Sequence, residues 1–275
     1  MSQLRIGVVQ ATTGIDPQAS AEALAQALRA AAAQGATIAF TPEMSGRLDR
    51  NRERLLAPRM LEVDEPTLAA ARAVSRETGL WVALGSLAVR RAPDLPLLVN
   101  RSYLIDSTGA IAARYDKIHR FDVELGEGQR YRESATFEAG DRAVVAATPW
   151  GPLAMSICYD LRFAGLWEAL ASARPVMAAV PAAFTRPTGA AHWEVLLRAR
   201  AIELGAFVIA AAQTGRHEDG RETWGHSMVV HPWGEVLLDM GETPGVAVLD
   251  LDLGAVAEAR RRIPALDHRR PFTGP

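Results

Sequence analysis

The chain holds a single cysteine, Cys158, whose setting makes it a candidate nucleophile. The apolar run Leu153-Ala-Met-Ser-Ile157 has the length and character of a buried strand. Cys158 follows directly, ahead of the turn-like Tyr159-Asp-Leu-Arg162. A thiol at a strand-to-helix corner is open on one side and lies near the backbone N–H groups of the turn. Such donors stabilise both a thiolate and a developing oxyanion. The placement resembles a nucleophile elbow, although a Gly-x-Ser-x-Gly pattern is absent. Without partners, a lone cysteine reads as a small buried hydrophobe.

A nucleophilic thiol needs a base and a neighbouring positive charge. The six histidines, His119, His192, His217, His226, His231 and His268, include no His-Glu-x-x-His or comparable metal spacing. A Cys–His pair drawn from distant parts of the chain stays open, and a carboxylate with a lysine would serve equally well. In Phe40-Thr-Pro-Glu43, Glu43 lies just beyond an apolar strand, where partial desolvation is expected to raise its pKa toward that of a general base. In Arg114-Tyr-Asp-Lys-Ile-His119, Lys117 follows another strand. Basic residues elsewhere are nearly all arginine, which suggests that the compact ammonium matters here. Taken singly, each of these two charges would read as solvated surface.

The elements that must carry these residues are short apolar runs bounded by Gly, Pro, Asn or Asp. They are Leu4–Gln10, Thr37–Phe40, Trp81–Leu84, Val99–Ile105, Ala143–Ala147, Leu153–Ile157, Val176–Val180, Phe207–Ala212, His226–Val230, Glu235–Leu238 and Val246–Leu251. Helical patterns intervene. Asp16–Gln34 opens on an Asp-Pro cap and stops at Gly35, and Pro66–Thr78 stops at Gly79. Gly165–Ala173 and Ala190–Gly205 complete the set. The order is β-α-β, then strands, then α-β-α-β, then strands, which argues for an α/β protein with mixed sheets. Pro149-Trp-Gly151 and Pro232-Trp-Gly234 each precede an apolar strand as expected hairpin turns. No low-complexity linker divides the chain, so residues 1–275 are read as one domain. The tail from about 260 to 275, with Arg260, Arg261, Arg262, Arg269 and Arg270, is expected to pack on the core or cross a subunit rather than bind RNA.

With 275 residues, 49% hydrophobic and 23% charged, the composition is that of a soluble globular protein. A net charge of −2 gives no electrostatic case for nucleic acid or an anionic membrane as partner. No apolar run approaches the roughly 18–20 residues that span a bilayer, and the start reads as a strand, not a secretory leader. One cysteine excludes an intrachain disulfide and a cysteine-cluster metal site, which fits a reduced, cytoplasmic setting. No metal or cofactor is implied.

Taken together, Glu43, Lys117 and Cys158 resemble the Glu–Lys–Cys set of the nitrilase superfamily of carbon–nitrogen hydrolases. Phe40–Met44, Tyr115-Asp-Lys-Ile-His119 and Ser156-Ile-Cys-Tyr-Asp-Leu-Arg-Phe163 are similar to the three motifs of that family, and the similarity runs from the first strand to about Phe272. Tyr131–Thr136, Val180–Gly189, Ala191–Glu203 and Ala210–His217 with Gly225–Val230 resemble its deaminated-glutathione amidase and ω-amidase branch, the former more closely. Ala164-Gly165, Leu204-Gly205, His231 and Thr41 depart from the usual family residues.

The resemblance implies a four-layer αββα sandwich, a homodimer or larger assembly that continues the layers, and a supporting glutamate that falls on Glu133. It implies a thioester on Cys158, with Glu43 as base and with Lys117 and the Tyr159 backbone N–H at the oxyanion. The implied substrate is a small acidic 2-oxo acid amide, deaminated glutathione first and α-ketoglutaramate second, and Arg162, Arg186 and Thr188 are candidates for its carboxylate or oxo group. Other amides, N-carbamoyl amino acids or nitriles are alternatives within the enzyme class. A catalytically silent scaffold is the alternative outside it.

Overall fold

The computed structural model describes residues 3–58, 60–126 and 130–274, so Met1, Ser2 and Pro275 at the ends of the expected domain lie outside the described residues. Two mixed sheets face each other. The first runs Gly245–Asp252, Gln3–Gln10, Ile38–Phe40, Trp81–Val89, Leu98–Ile105, Ile111–Asp116, with Phe137–Glu138 also paired to Leu98–Ile105. The second runs Val236–Asp239, Met228–Val230, Phe207–Ala210, Met177–Ala179, Leu153–Met155, Val144–Ala146. Each has three parallel strands at its centre and antiparallel strands on both flanks. Helices Pro17–Ala33 and Pro66–Thr78 make the crossovers of the first sheet, and Ala164–Ala171 and Arg186–Leu204 those of the second. The result is the αββα sandwich expected.

Strand alternation builds the layers. Leu4, Ile6, Val8, Ile38, Phe40, Ala83 and Leu104 point between the sheets, where they meet Leu153, Met155, Met177 and Ala179. Their neighbours Ala39, Val82, Leu84, Tyr103 and Ile105 point outward and are covered by Leu24, Leu28, Leu68 and Val74 of the two outer helices. One register thus serves both faces of a sheet, because successive side chains alternate sides. Asp16 caps the first helix by accepting a hydrogen bond from the Gln18 N–H, and Gly79 stops the second in a left-handed conformation.

Several boundaries differ from the sequence reading, each for a physical reason. The strand expected to reach Ile157 stops at Met155, because the Ile157 N–H donates to the Asp160 carboxylate instead of a neighbouring strand. The helix expected from Ala190 begins at Arg186. Gly189, which reads as a breaker, is there for close approach: a Cβ would stand 2.1 Å from the Trp224 ring. Both Pro-Trp-Gly segments do connect antiparallel strands. The tail starts as a helix, Gly254–Arg262, in which Arg260 donates to the Leu204 carbonyl (2.9 Å) and so caps the Arg186–Leu204 helix.

Candidate active site

The chain leaves Ile38–Phe40, Ile111–Asp116 and Leu153–Met155 toward a common end of the sandwich, and the next few residues carry Glu43, Lys117 and Cys158. Each turn is pinned. The Thr41 hydroxyl accepts from the Gly85 N–H (2.9 Å), and the side chain of Gln213 donates to the Glu43 carbonyl (2.9 Å). Thr41 therefore uses its hydroxyl where an apolar residue is usual. Cys158 opens a short 3-10 turn, Cys158–Arg162, with a φ of 50°, and its N–H donates to the Pro181 carbonyl (2.8 Å). A left-handed non-glycine residue is strained backbone of the kind that clusters at functional sites.

The cysteine turn and the lysine strand are fastened by one buried carboxylate. Asp160 accepts from the Tyr115 hydroxyl (2.7 Å), the Ile157 N–H (2.9 Å) and the His119 N–H (3.0 Å), and lies 2.7 Å from His119 Nδ1. Tyr115 and His119 flank Lys117 two residues away on either side, and Asp160 is two residues past Cys158. A single side chain thereby fixes the relative position of two catalytic candidates.

At the floor, Lys117 Nζ donates to Glu43 Oε1 (2.9 Å) and to both oxygens of Glu133 (3.0 and 2.9 Å). Lys117 is the only lysine in the sequence. Glu133 starts a short 3-10 turn and also accepts from the Phe121 N–H (2.6 Å). Glu43 Oε2 accepts from the Ala183 N–H (2.9 Å). Asn100, within the strand Leu98–Ile105, donates through Nδ2 to Glu43 Oε1 (2.9 Å) and Glu133 Oε1 (3.2 Å).

Burial works to raise the Glu43 carboxyl, but the Lys117 ammonium, with hydrogen bonds from the thiol and Asn100, outweighs it and holds Glu43 below the usual carboxylate range. The expected upward shift of Glu43 is therefore corrected: several donors converge on this carboxylate. Burial also opposes the charge on Lys117, yet Glu133 and Glu43 overcome it and hold the amine well above its ordinary value. Burial and the Glu43 carboxylate push the Cys158 thiol well up, with Lys117 and the Ala183 N–H opposing only in part. Lys117 is thus held charged between Glu43 and Glu133, beside a thiol pushed toward its protonated form.

Above the floor lies a cavity of about 380 Å³. Tyr159, Arg162 and Thr188 line it, together with Arg50, Arg130, Arg132 and Arg221, which the sequence reading had not singled out. Tyr159 is the second residue of the Cys158–Arg162 turn, a position whose N–H has no partner within a 3-10 helix. The Arg162 guanidinium lies 5.3 Å over the Phe184 ring, whereas the Thr188 hydroxyl is engaged with the Thr185 hydroxyl (2.8 Å). Arg186 is a correction. It lies off the cavity in the first turn of its helix, gripping Glu242 through two hydrogen bonds (2.9 and 3.1 Å). None of the six histidines is among the described cavity residues, and the charged groups that act on the Cys158 thiol are Glu43 and Lys117. No group of three or more His, Cys, Asp or Glu among the described residues could hold a metal ion, and no helix there is long and apolar enough to cross a membrane.

The floor could deprotonate a thiol, receive an oxyanion and return the proton to a leaving amine. The similar proteins are carbon–nitrogen hydrolases and amidases. The carbon-nitrogen hydrolase family model matches residues 5–261. Deaminated glutathione amidase of Homo sapiens is 38% identical over 273 residues, covering 97% of this chain and 82% of its own. That of Yersinia enterocolitica is 44% identical over 210 residues, covering 75% of this chain and 73% of its own. The crystal structure of the C. elegans NitFhit protein superposes with a TM-score of 0.91 at 35% identity, over 98% of this chain and 66% of that longer one.

Proposed function

This chain belongs to the carbon–nitrogen hydrolase family, and on that footing we propose that it is a cysteine-dependent amidase of 2-oxo acid amides, with deaminated glutathione as first substrate. The observation that carries the proposal is the convergence of Glu43, Lys117 and Cys158 on the floor of one cavity.

Glu43 takes the thiol proton as the Cys158 sulfur bonds to the amide carbonyl carbon. The negative charge that develops on the carbonyl oxygen is received by Lys117 Nζ and the Tyr159 N–H. Losing one such donor commonly costs about 3 kcal/mol of transition-state stabilisation. As the tetrahedral adduct collapses, the C–N bond breaks, protonated Glu43 gives its proton to the departing amine, and an acyl thioester remains on Cys158. Glu43 then deprotonates a water that attacks the thioester, and the product acid leaves with the thiol restored. Glu133 neutralises and orients Lys117 throughout.

The leaving amine is ammonia from α-ketoglutaramate. From deaminated glutathione it is cysteinylglycine, because the amide there joins the 2-oxo acid to a dipeptide. Two features support an extended, acidic substrate. The cavity falls within the roughly 300–1,000 Å³ of sites that hold drug-sized ligands, and five arginines line its walls, residues suited to grip carboxylates. Homo-oligomerisation is part of the same proposal. Val195 and Ile202, 69% and 54% exposed, stand seven residues apart on the outer face of the Arg186–Leu204 helix, an apolar stripe suited to a second copy. A reducing, cytoplasmic setting suits the single free thiol.

The test follows 2-oxoglutarate release from deaminated glutathione and from α-ketoglutaramate, and ammonia release from a simple aliphatic amide, an N-carbamoyl amino acid and a nitrile in parallel. Faster release from deaminated glutathione supports the proposal. A preference for the nitrile or the N-carbamoyl substrate overturns it.

A further inference from the structure

Asn100 is a polar residue within the strand Leu98–Ile105, 2% exposed, and its side-chain amide donates to the two carboxylates that already share Lys117. Lys117 Nζ and Asn100 Nδ2 therefore bridge the same two atoms, Glu43 Oε1 and Glu133 Oε1, in a closed ring of two donors and two acceptors. The Asn100 side-chain oxygen, Oδ1, is buried and makes no hydrogen bond within the described residues. The reverse orientation of the amide would set that oxygen against two carboxylates, acceptor facing acceptor, so the ring dictates which way the side chain stands. An unpartnered buried acceptor is unfavourable for folding. Stability alone would be better served by an apolar residue of the same shape.

We propose that Asn100 is a positioning residue of the reaction: by bridging Glu43 Oε1 and Glu133 Oε1 it fixes the Glu43 carboxylate with Oε2 turned to the thiol. The geometry supplies the reason. With Oε1 held by Lys117 and Asn100, the remaining oxygen, Oε2, is the one that accepts from the Ala183 N–H, and that same N–H acts on the Cys158 thiol. Asn100 also lowers the proton affinity of Glu43, alongside Lys117 and against burial. The charged and titratable groups around Glu43 are Lys117, Cys158 and, across the lysine, Glu133. Of the groups in the ring, Asn100 alone adjusts Glu43 without carrying charge. This inference rests on Glu43 being the base of the proposed amidase.

The test is Asn100→Leu, which keeps the side chain's shape and removes both donors. Loss of a donor to the carboxylate should move the acid limb of the kcat/KM profile up by about one pH unit. Turnover at neutral pH should fall on the order of a hundredfold through misorientation of the base, with KM changed far less. Asn100→Ser, retaining one hydroxyl donor, should shift the limb by less and serves if the leucine variant does not fold. The pH dependence of Cys158 alkylation by iodoacetamide is read in parallel, and it needs no amide substrate. An upward shift of the alkylation limb supports the role of Asn100 even if neither 2-oxo acid amide is hydrolysed, which would instead overturn the substrate assignment. Acid limbs unchanged from wild type in folded variants would overturn the inference.

Discussion

Replacing Asp160 by asparagine should loosen the nucleophile turn from the lysine strand. One oxygen of Asp160 faces the His119 N–H and Nδ1, and the other faces the Tyr115 hydroxyl and the Ile157 N–H. Whichever oxygen becomes the amide nitrogen, one backbone N–H is left pointing at another donor. Tyr115 and His119 can exchange donor and acceptor roles, but the backbone cannot. An orphaned buried donor costs roughly 1–3 kcal/mol, and the remaining bonds lose about 1 kcal/mol through loss of the charge. The expected destabilisation is therefore about 3 kcal/mol, a drop of about 5 °C in Tm for a chain of this length. Because Tyr115 and His119 flank Lys117, slack there displaces Nζ from Cys158, and a ~1 Å error in such geometry costs about a hundredfold in rate. Urea unfolding followed by tryptophan fluorescence, with 2-oxoglutarate release at saturating amide, measures both effects. A variant with wild-type unfolding midpoint and kcat within about twofold of wild type would refute the clasp.

Cys158→Ala should abolish turnover and, in acid-quenched intact-mass spectra, the acyl adduct seen with wild type; an adduct in the variant would remove Cys158 from the chemistry. Burial holds the Glu65 carboxyl up at about 7, against an ordinary value of 4.5. Because the folded value is the higher, the folded chain is favoured below about 4.5 and loses that advantage as pH rises through about 7, some 3 kcal/mol in all. Glu65→Gln, whose carbonyl can still accept from the Leu68 N–H, should therefore exceed wild type in urea midpoint at pH 8 but not at pH 4. Val195→Asp with Ile202→Asp should lower the mass seen by light scattering toward 29.6 kDa, and an unchanged mass would move any interface elsewhere.

Glu43 and Cys158 stood out as functional groups just past apolar runs and Lys117 as a lysine among arginines, but it was the family resemblance that joined the three as a set. Glu133 was accessible only through family resemblance, since no apolar run precedes it in the sequence and its bonds to Lys117, sixteen residues earlier, appear only in the fold. Asn100 escaped notice because a polar residue in a strand ordinarily marks a solvent-facing position; only the neighbouring sheet and loops show that it is interior. Arg186 was misjudged for a related reason, as its direction depends on Glu242, far along the chain. The acidity of Glu43 was misjudged because burial is visible in sequence while the convergence of Lys117, Asn100 and Ala183 is not. The α/β class with mixed sheets was readable from the order of elements and the four-layer sandwich only through the resemblance, and boundary errors fell where side chains, such as those of Asp160 and Trp224, override local preference.

The floor of the cavity contains the chain's sole lysine and its sole cysteine. Isotopic labelling by residue type would therefore give one side-chain ammonium signal and one cysteine signal, both from the reacting centre. No assignment would be needed to follow them. As an amide binds, acylates and is released, the charge on Lys117 and the bonding of the Cys158 sulfur could be recorded separately and in real time on the unmodified protein. The shortage of lysine, first noticed as a compositional oddity, makes this enzyme its own spectroscopic probe.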